Sequence, residues 1–450
     1  MLKLSFYGGA QEVTGANYLL ETDSTRILVD CGMFQSPQFS NLRNRQDFEY
    51  DPASIDALFV THAHIDHIGR IPKLVSRGFH GTIYSTPPTK DFGEIMLEDS
   101  LGVLEKEAER EGHKDAMYTI DDINRSMELW KGIPYGETVS VGDMRVVFHN
   151  AGHVLGSALV EISTPDKKFL FTGDLGNIPM PLLAPPERVR GVQVLVIESA
   201  YGDRAHEDVP ERKIKLERAI EDVVHRGGTL IIPSFALERT QELIYEFNDL
   251  VEHGRIPRVP VYIDSPLAIK ATAVYRKYKN FFNSHAQSVM RSGDDLFNFP
   301  GLHMTLTTDE SKAINDVKGP KIILAGAGMM HGGRIVHHAR RYLPDPDSMI
   351  LFIGYQAPGS PGRRIIDGER EVTIFGHDVS VRAEVRAIHG YSAHADTNAL
   401  LDFINDHHDT LEKVFVVQGE PRSSLFLAQR VRDYLGIEAE APVFGAKFLF

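Results

Sequence analysis

The sequence of 450 residues has a single cysteine and no long apolar run. With Cys31 alone, no disulfide framework can form within the chain, which excludes the disulfide-stabilised class of small secreted domains. No apolar stretch approaches the length of a membrane span, and the N-terminal residues lack the apolar core and cleavage site of a signal peptide. These absences predict a location in a reducing cytoplasm, no membrane partner, and a Cys31 side chain packed as a small buried hydrophobic group.

An excess of basic residues is also missing. The chain has 48 Lys and Arg against 62 Asp and Glu, a formal net charge of −14, which disfavours broad non-specific binding to nucleic acid. A polyanionic substrate is still compatible, because metal ions or a local group of arginines can offset the mean charge in one groove. The content of 42% apolar and 24% charged residues is that of a folded soluble protein, and the length predicts two domains.

The predicted secondary structure changes along the chain, which has no repeats or low-complexity segments. Residues 2–35 read as short strands with glycine-rich turns, and more strands follow a helical region at about 89–111. From about Asp203, helices alternate with short apolar strands, a pattern typical of a parallel α/β sheet. Ligand-type residues return near His389. We therefore predict a first domain formed by residues 1–204 and 388–450, with a second domain of residues 205–387 inserted into it.

The most informative segment is Thr61–Gly69, of sequence THAHIDHIG. It follows an apolar run over residues 57–60 that reads as a buried strand. Three histidines and one aspartate within six residues, at the end of a strand, place imidazole and carboxylate groups at the rim of a sheet. These are the groups from which zinc sites are made. The alternative is a group of histidines that is solvated or satisfied in the core.

Two further loops offer metal ligands. His153 lies between two glycines ahead of a predicted strand over 158–163, and Asp174 follows a predicted strand over 168–172 and is flanked by glycines. Glycines beside a ligand allow the backbone to approach closely. Taken alone, either residue could simply belong to a turn. Their placement at strand ends matches that of the 62–67 cluster, which favours the ligand interpretation.

Together these motifs resemble the metallo-β-lactamase fold, and most of all its β-CASP branch, over essentially the whole chain. The motifs follow one another in the order Asp30, His62–His67, His153, Asp174, Glu198–Gly202, Pro233–Glu242, Gly326–Arg334, Gly354–Gln356, Ser392–Asp396 and Gln418–Glu420. Each motif is modest alone, and the ordered series is specific. The resemblance implies an α/β fold: an αββα metallo-β-lactamase sandwich with an inserted β-CASP domain built on a parallel sheet.

The resemblance implies a site for two metal ions. The implied ligands are His62, His64 and His153 for the first ion, Asp66 and His67 for the second, and Asp174 as a bridge between them. Asp30 would orient these ligands without touching the metal, as buried carboxylates do around metal sites. Nitrogen and oxygen ligands without thiolate fit zinc best, and they also fit iron or manganese.

The resemblance also implies the reaction, which is metal-dependent hydrolysis of phosphodiester bonds in single-stranded RNA, by endonuclease or 5′-exonuclease action, in a cleft between the two domains. A metal-bound hydroxide beside Asp66 would attack phosphorus, since two neighbouring ions suit this chemistry. His394, held by Glu198, would protonate the leaving 3′-oxygen as general acid. Without the resemblance, Glu198 would be interpreted as a helix-capping or surface carboxylate.

One position departs from the family pattern. RNA-cleaving members usually carry histidine as a second-metal ligand before the Gly-Glu pair near the C-terminus, where this chain has Gln418. An amide oxygen is a weaker ligand than imidazole, so the second site is expected to be weakened, filled by water, or occupied by a different divalent ion. DNA-processing members also lack this histidine, which leaves a DNA nuclease of the same chemistry as an alternative.

Candidate RNA contacts are polar residues of the predicted inserted domain and its end, namely Arg334, Arg239, Arg363, Arg364 and Ser392. Guanidinium groups bind phosphate bidentately, and the alternative for each arginine is a solvated helix or turn face. Two further hypotheses are a catalytically weakened RNA-binding or scaffold subunit and a small-molecule hydrolase. The large inserted domain and the pairing of Glu198 with His394 argue against the latter. Members of the family are often dimers, so the resemblance is compatible with a homodimer.

Overall fold

The computed structural model describes residues 2–35, 40–206, 209–354, 356 and 359–450. The chain divides into two compact units, one formed by Met1–Ala205 with Ala393–Phe450 (unit 1) and the other by His206–Ser392 (unit 2). Tyr355 of the predicted Gly354–Gln356 motif lies outside the described residues. Within the described ranges, every helix is too short or too polar to span a bilayer.

The strands are short and spread over both units. In chain order they are β1 (Lys3–Phe6), β2 (Tyr18–Glu21), β3 (Arg26–Val29), β4 (Ala57–Phe59), β5 (Thr82–Ser85), β6 (Trp130–Gly132), β7 (Thr138–Val141), β8 (Met144–Asn150), β9 (Ala158–Ser163), β10 (Lys168–Phe171), β11 (Val194–Glu198), β12 (Thr229–Pro233), β13 (Val261–Asp264), β14 (Leu302–Met304), β15 (Lys321–Ala325), β16 (Met349–Phe352), β17 (Glu371–Ile374), β18 (His377–Ser380), β19 (Glu384–Ala387), β20 (Lys413–Val417), β21 (Glu438–Glu440) and β22 (Lys447–Leu449).

The α-helices range from one turn to seven turns. They are α1 (Ser40–Arg45), α2 (Ile65–Ile68), α3 (Ile71–Ser76), α4 (Pro87–Glu111), α5 (Ile120–Leu129), α6 (Val209–Arg226), α7 (Arg239–Glu252), α8 (Pro266–Lys277), α9 (Ser284–Arg291), α10 (Thr308–Ala313), α11 (Gly333–Tyr342), α12 (Pro361–Ile366), α13 (Thr397–Asn405) and α14 (Pro421–Arg430). Short 3₁₀ turns lie at Pro52–Ser54, Lys279–Phe281, Ile314–Asp316 and His389–Tyr391, and a π turn lies at Val431–Leu435.

Unit 1 contains two seven-stranded sheets, with strand orders β22-β1-β2-β3-β4-β5-β6 and β21-β20-β11-β10-β9-β8-β7. Apolar side chains from both sheets, such as Phe6, Phe59 and Phe415, share one buried cluster, so the sheets pack face to face. On its other face the second sheet packs against α13 and α14 through a second cluster, and α4 and α5 contact the first sheet at β6 and β5. The predicted αββα sandwich is therefore confirmed.

The strand β20 shows why several strands of the sheets consist of consecutive apolar residues. Phe415 and Val417 point into the cluster between the sheets, whereas Val414 and Val416 pack towards the helices. Side chains alternate between the two faces of a strand, and here both faces are buried, so the four positions after Lys413 are all apolar. The polar residue Gln418 comes directly after this strand, at the edge of the sheet, with a positive φ of 49°.

Unit 2 contains a six-stranded sheet of order β14-β13-β15-β12-β16-β19. All of its neighbouring strands pair in parallel, which confirms the predicted parallel sheet. One face is covered by α11 and α12 and by the β17–β18 hairpin, through a shared buried cluster that includes Ile335, Ile365 and Val372.

Two predicted helices begin or end elsewhere. The residue pattern predicts one helix over 68–77, and the structure has the shorter α3 there, with Asp66 and His67 on the separate helical turn α2 and not in a loop. The pattern also predicts a helix over 267–282, and the corresponding α8 ends at Lys277, where Tyr278 leaves the helical conformation. Cys31 is buried and unpaired as predicted, and burial raises the pKa of its thiol to about 11.

Candidate metal centre and acid–base pair

The ends of adjacent strands bring the site residues together in unit 1. Asp30 follows β3 and Thr61 lies just beyond β4, and these two strands pair in parallel. In the second sheet, Asp174 lies beyond β10, Glu198 ends β11 and Gln418 follows β20, and these three strands are also parallel neighbours. Because the carboxyl ends of parallel strands meet at one edge of a sheet, side chains distant in sequence converge there.

The turn carrying Asp66 and His67 is fixed by main-chain contacts. The Asp66 carbonyl accepts a hydrogen bond from Ala16 N at 2.9 Å, and the His67 carbonyl accepts one from Cys31 N at 2.8 Å. Gly32 allows this approach, since a Cβ at that position would lie 1.5 Å from the Asp66 carbonyl oxygen. The histidine cluster is therefore locked against the segment that follows β3.

Asp30 and Thr61 form a buried support beneath the histidines. The Asp30 carboxylate accepts hydrogen bonds from Thr61 N and Thr61 Oγ1, both at 2.8 Å, and lies 2.7 Å from His67 Nδ1. The Thr61 hydroxyl is also 3.1 Å from His62 Nδ1. Asp30 adopts a positive φ of 59°, and its carbonyl accepts from Asn17 Nδ2 at 2.8 Å. The network fixes which nitrogen of each imidazole faces the site.

Four donor atoms converge on one point above this support. His62 Nε2 lies 3.0 Å from His64 Nδ1, which lies 3.3 Å from His153 Nε2. Asp174 Oδ2 lies 3.4 Å from both His62 Nε2 and His153 Nε2. All four ligand atoms fall within 4.8 Å of one another.

The chemistry of this group fits a divalent metal ion. Burial lowers the pKa of His62, His64 and His153 below the usual value for histidine, which favours neutral imidazoles whose lone pairs can bind a metal. Three neutral imidazoles and one carboxylate make a complete ligand set for zinc and for related ions.

Glycine also brings the His153 and Asp174 loops together. A Cβ at Gly176 would lie 2.1 Å from the Gly152 carbonyl oxygen, so the two loops can only touch because that side chain is absent. Gly176 N donates to Ala151 O at 2.9 Å. The Ser157 hydroxyl accepts from His153 N at 3.0 Å, which holds the tip of the His153 loop.

A second group of polar atoms lies on the other side of Asp174. Asp174 Oδ1 is 3.3 Å from His67 Nε2 and 3.1 Å from Gln418 Nε2. Gln418 Nε2 is in turn 2.7 Å from His67 Nε2. Asp174 thus has one oxygen in each group, which is the arrangement expected of a bridging carboxylate.

Gln418 has an unpaired atom in this second group. Its buried Oε1 atom has no hydrogen-bond partner among the residues that the structure describes. A half-turn of the amide exchanges its nitrogen and oxygen, and the two orientations differ only in their hydrogen-bond partners. The oxygen would then face His67 Nε2 and Asp174 Oδ1, where it can serve as a ligand beside them.

The buried Glu198 pairs with the partly exposed His394 next to Asp174. His394 Nδ1 lies 3.1 and 3.0 Å from the two carboxylate oxygens of Glu198 and 3.8 Å from Asp174 Oδ2. Glu198 Oε1 also accepts from Leu175 N at 2.6 Å. Burial opposes the charged imidazolium, but Glu198 and then Asp174 outweigh it and raise the pKa of His394 to about 10. Glu198 is therefore neither a helix cap nor a surface carboxylate.

Two main-chain hydrogen bonds position His394 opposite Gly176. Asn177 N donates to Ala393 O and Ala395 N donates to Leu175 O, both at 2.8 Å. These bonds form a short antiparallel bridge that ties the predicted Ser392–Asp396 motif to the Asp174 loop. The side chain of His394 keeps 27% of its surface exposed, so it can reach a substrate.

The remaining predicted site residues have other surroundings. Asp66 lies within electrostatic range of His67, Asp174 and His62, and burial raises the pKa of its carboxyl group. Its role as a metal ligand stays a prediction. Among the described residues, the donor atoms that converge are those of His62, His64, His153 and Asp174, and those of Asp174, Glu198 and His394.

The predicted RNA-binding arginines are all paired in unit 2. Arg334 donates to Asp264, Arg239 to Glu242, Arg363 to Asp367 and Arg364 to Glu369. Ser392 is buried. Arg239 is also nearly buried, whereas Arg363 and Arg364 remain substantially exposed. Their contact with phosphate stays a prediction.

Sequence reasoning passed over three residues that build the site. Thr61 ties Asp30 to His62, Asn17 holds the strained Asp30 backbone, and Leu175 N donates to Glu198. Thr61 could have been found, because it directly precedes the cluster and its hydroxyl is a natural partner for imidazole. Asn17 and Leu175 act through contacts that only the folded chain creates.

Comparison with known proteins agrees with this geometry. Family models match in succession: the metallo-beta-lactamase superfamily at residues 11–234, the Beta-Casp domain at 240–365, and the Zn-dependent metallo-hydrolase RNA specificity domain at 378–442. A solved structure, that of a protein of unknown function from Enterococcus faecalis V583, has a TM-score of 0.60 over 100% of both chains at 14% identity, which is a likeness of fold.

Curated relatives cover nearly the whole chain. Ribonuclease TTHA0252 of Thermus thermophilus is 36% identical over 94% of this chain and 94% of its own length. The transcription termination factor FttA of Methanocaldococcus jannaschii is 33% identical over 98% of this chain and 70% of its own length. An RNase J-like protein of the same organism is 33% identical over 99% of both chains. With these relatives, the family models and the metal-ligand geometry, the chain belongs to the β-CASP family of the metallo-β-lactamase superfamily of hydrolases.

Proposed function

We propose that this chain is a metal-dependent ribonuclease that hydrolyses phosphodiester bonds of single-stranded RNA. The observation that carries the proposal is the convergence of His62 Nε2, His64 Nδ1, His153 Nε2 and Asp174 Oδ2, beside a histidine–glutamate pair. A metal-ligand set next to a polarised imidazole suits hydrolysis of a phosphate ester, where one end of the reaction needs charge stabilisation and the other needs a proton.

We propose zinc as the metal, with two ions per chain. Three neutral imidazoles and a carboxylate support zinc at the first position. The second position would be held by His67, Asp174 and the amide oxygen of Gln418, with Asp66 nearby. When bound, such ions supply Lewis-acid stabilisation of the phosphoryl oxygens and lower the pKa of a coordinated water.

The protein's own residues orient this site before substrate arrives. Asp30 and Thr61 set the ring nitrogens of His62 and His67, so that one nitrogen of each ring faces inward. Such outer contacts restrict the ligands to one geometry and raise their affinity for the metal. His62 and His153 are buried and His64 is partly buried, which limits the access of water and competing protons to their lone pairs.

We propose that His394 is the general acid for the leaving 3′-oxygen. Glu198 engages Nδ1 of the ring with both carboxylate oxygens, which leaves Nε2 as the nitrogen that donates to the substrate. After transfer, the neutral imidazole would still be held in place by Glu198. Proton donation by a positioned side chain typically accelerates such a step by roughly 10²–10⁴-fold.

Two findings support RNA as the substrate class. The model that matches residues 378–442 is described as an RNA specificity domain, and two of the similar proteins are named as ribonuclease or ribonuclease-like. A cytoplasmic location agrees with the unpaired, buried Cys31.

Labelled single-stranded RNA and DNA of the same sequence test the proposal. Metal-loaded protein is expected to cleave the RNA, and both a chelator and His64→Ala should abolish cleavage. Faster cleavage of the DNA would instead favour a DNA nuclease. Cleavage of neither strand under Zn²⁺, Mn²⁺ or Fe²⁺ would overturn the proposal.

A catalytically weakened RNA-binding subunit is the second candidate, and the position of Gln418 favours it. In one orientation the amide N–H group points at both His67 Nε2 and Asp174 Oδ1, where it would occupy lone pairs that the second ion needs. RNA binding without cleavage, together with one metal per chain, would support this candidate over the ribonuclease.

A further inference from the structure

A basic cavity of about 530 Å³ lies wholly within unit 2 and contains none of the metal-centre residues. Its wall is one face of α11, where Arg334, His337, His338 and Arg341 recur at helical spacing, with Arg340 beside them. The facing wall is formed by α10 and the turn after it, and Lys312 of α10 contributes another cation. None of the described residues that line the cavity is acidic.

At the floor of the cavity, the positive charge of Arg334 is balanced by the buried carboxylate of Asp264. Asp264 accepts a hydrogen bond from Arg334 Nη1 at 2.7 Å and lies 2.7 Å from His338 Nε2. The net positive charge of the cavity therefore comes from the residues at its rim. At the rim, Arg340 makes no hydrogen bond or ion pair with another described residue. Lys312 is 3.9 Å from Asp309, and both side chains are so exposed that this pair is weak. The rim is therefore a local cationic patch on a chain of net charge −14.

An exposed aromatic ring stands at the edge of this patch. Phe375 is 54% exposed, and its ring lies 4.6 Å from that of His337, with an angle of 39° between the planes. Phe375 and Gly376 form the two-residue loop of the β17–β18 hairpin, since Ile374 pairs with His377. A large apolar ring at a loop tip costs solvation, and it is not needed for the hairpin itself.

The backbone at Phe375 is strained. Its φ is 52° and that of Gly376 is 74°, the positive pair that a type I′ turn requires. Glycine, asparagine and aspartate are the residues that favour this conformation, and a bulky aromatic residue is an outlier there. Strain that persists at an exposed position, where packing does not demand it, points to a role for the ring in binding.

We infer that this patch, formed by Lys312, His337, Arg340, Arg341 and Phe375, binds single-stranded nucleic acid outside the metal centre. The Lys and Arg groups would contact consecutive phosphates, and an unpaired base would stack on Phe375 and His337. Proteins that bind single strands without reading sequence combine these two features, a cationic groove and an aromatic platform. The inference deepens the proposed function, because the strand held here would be the RNA substrate of the same chain.

Fluorescence anisotropy with a labelled ten-nucleotide RNA, on the full-length protein in chelator, tests the inference without requiring cleavage. We expect the double variant Arg340→Gln/Arg341→Gln to bind roughly tenfold more weakly or worse, and to lower the slope of log K against log salt by roughly 1.4, or about 0.7 for each lost phosphate contact. The charge-matched control Arg258→Gln/Arg291→Gln changes exposed arginines of unit 2 that do not line the cavity, and should bind within about twofold of wild type.

Phe375→Asn separates stacking from folding. Asparagine favours the positive φ, so the hairpin should be retained or strengthened, whereas RNA binding should weaken by roughly tenfold because a stacked base is lost. Single-stranded DNA should bind like RNA, since neither contact reads the 2′-hydroxyl. Unchanged RNA binding in both variants, or an equal loss in the Arg258/Arg291 control, would overturn the inference. A mononucleotide or inorganic phosphate that competes as strongly as the oligomer would also overturn it, in favour of a small-ligand site.

These outcomes are independent of catalysis. If the protein binds RNA through the patch but does not cleave it, the proposed function fails and the inference stands. If cleavage is seen while the patch variants bind normally, the inference fails and the proposed function stands.

Discussion

Gln418 Nε2 lies 2.7 Å from His67 Nε2, and the same amide reaches Asp174 Oδ1 at 3.1 Å. The amide thus stands where the family usually has an imidazole, and it contacts both groups that would share a second metal ion. Whether its nitrogen or its oxygen faces them decides between blocking that ion and holding it.

Gln418→His should hold the second metal ion more tightly than the wild type does, and should therefore keep up to one more metal equivalent per chain where zinc is limiting. Histidine tolerates the positive φ of this position, and an imidazole binds divalent ions of this class more strongly than an amide does. Elemental analysis after dialysis against zinc measures the change. Gln11→His is a matched control, because Gln11 is another glutamine of unit 1 with positive φ, at 54°. An equal metal content in wild type and Gln418→His would show that the second site does not depend on this side chain.

Thr61→Val should weaken metal binding by roughly 10–100-fold, although Thr61 is not a ligand. The substitution keeps the shape of the side chain and removes the hydroxyl that joins Asp30 to His62. Competition with a fluorescent zinc chelator measures the affinity. Thr61→Ser retains the hydroxyl and should stay near wild type. If Thr61→Val binds metal as tightly as Thr61→Ser does, the support beneath the histidines has no influence on the site.

His394→Ala should slow RNA cleavage by roughly 10²–10⁴-fold with metal content unchanged, since the variant lacks the proton donor and keeps the converging ligands. The loss should be far smaller on a phosphodiester with a nitrophenolate leaving group, which departs without a proton. Rates on both substrates, with elemental analysis of each preparation, check this. An equal loss on both substrates would assign His394 to metal or substrate binding instead.

Asp264→Asn should destabilise unit 2 at neutral pH and lose that effect in acid. Burial opposes the charged carboxylate, but hydrogen bonds from His338, Ser311, Thr305 and Arg334 outweigh it and lower the pKa of Asp264 from 3.8 to about 2. A lowered pKa contributes stability above the unfolded-state value near 4, here about 2 kcal/mol, which is lost as the pH falls to about 2.

Denaturant unfolding of wild type and Asp264→Asn between pH 7 and pH 2 measures this difference in free energy of unfolding. The difference should be constant above about pH 5 and should narrow towards pH 2. Asp309→Asn, at an exposed position of the same unit, should be neutral within about 0.5 kcal/mol. A difference that does not depend on pH would mean that the charge of Asp264 is not what stabilises the fold.

Much of the fold was accessible from the sequence because its strands are buried on both faces. Runs such as 169–171 and 414–417 are continuously apolar. The residue pattern also predicts strands at 82–85, 138–141 and 321–325, and the strands Thr82–Ser85, Thr138–Val141 and Lys321–Ala325 begin and end at those residues. Helix boundaries were less accessible near the site. The turn holding Asp66 and His67 is helical because its carbonyls are fixed by Ala16 and Cys31, and periodicity does not report such distant partners.

The candidate site divides in the same way. The histidines and Asp174 were predictable, because imidazole and carboxylate side chains placed directly after strands indicate metal ligands. The pairing of Glu198 with His394 depended on the family resemblance, since residues 196 positions apart show no common pattern. The ion pair between Arg334 and Asp264 could not be predicted, because these residues lie 70 positions apart and meet only in the folded chain. The pair of Arg363 with Asp367 has the i,i+4 spacing of a helix and was accessible from the sequence.

The rate of single-stranded RNA cleavage, measured while metal is titrated into chelator-stripped protein, tests most directly whether the converging donor set carries the reaction. The stripped protein should not cleave the RNA, and the rate should rise in proportion to bound metal. His64→Ala, in which the converging donor set is broken, should not recover activity. Cleavage that persists without metal, or metal-loaded wild type that is no faster than His64→Ala, would contradict the claim that this donor set carries the reaction.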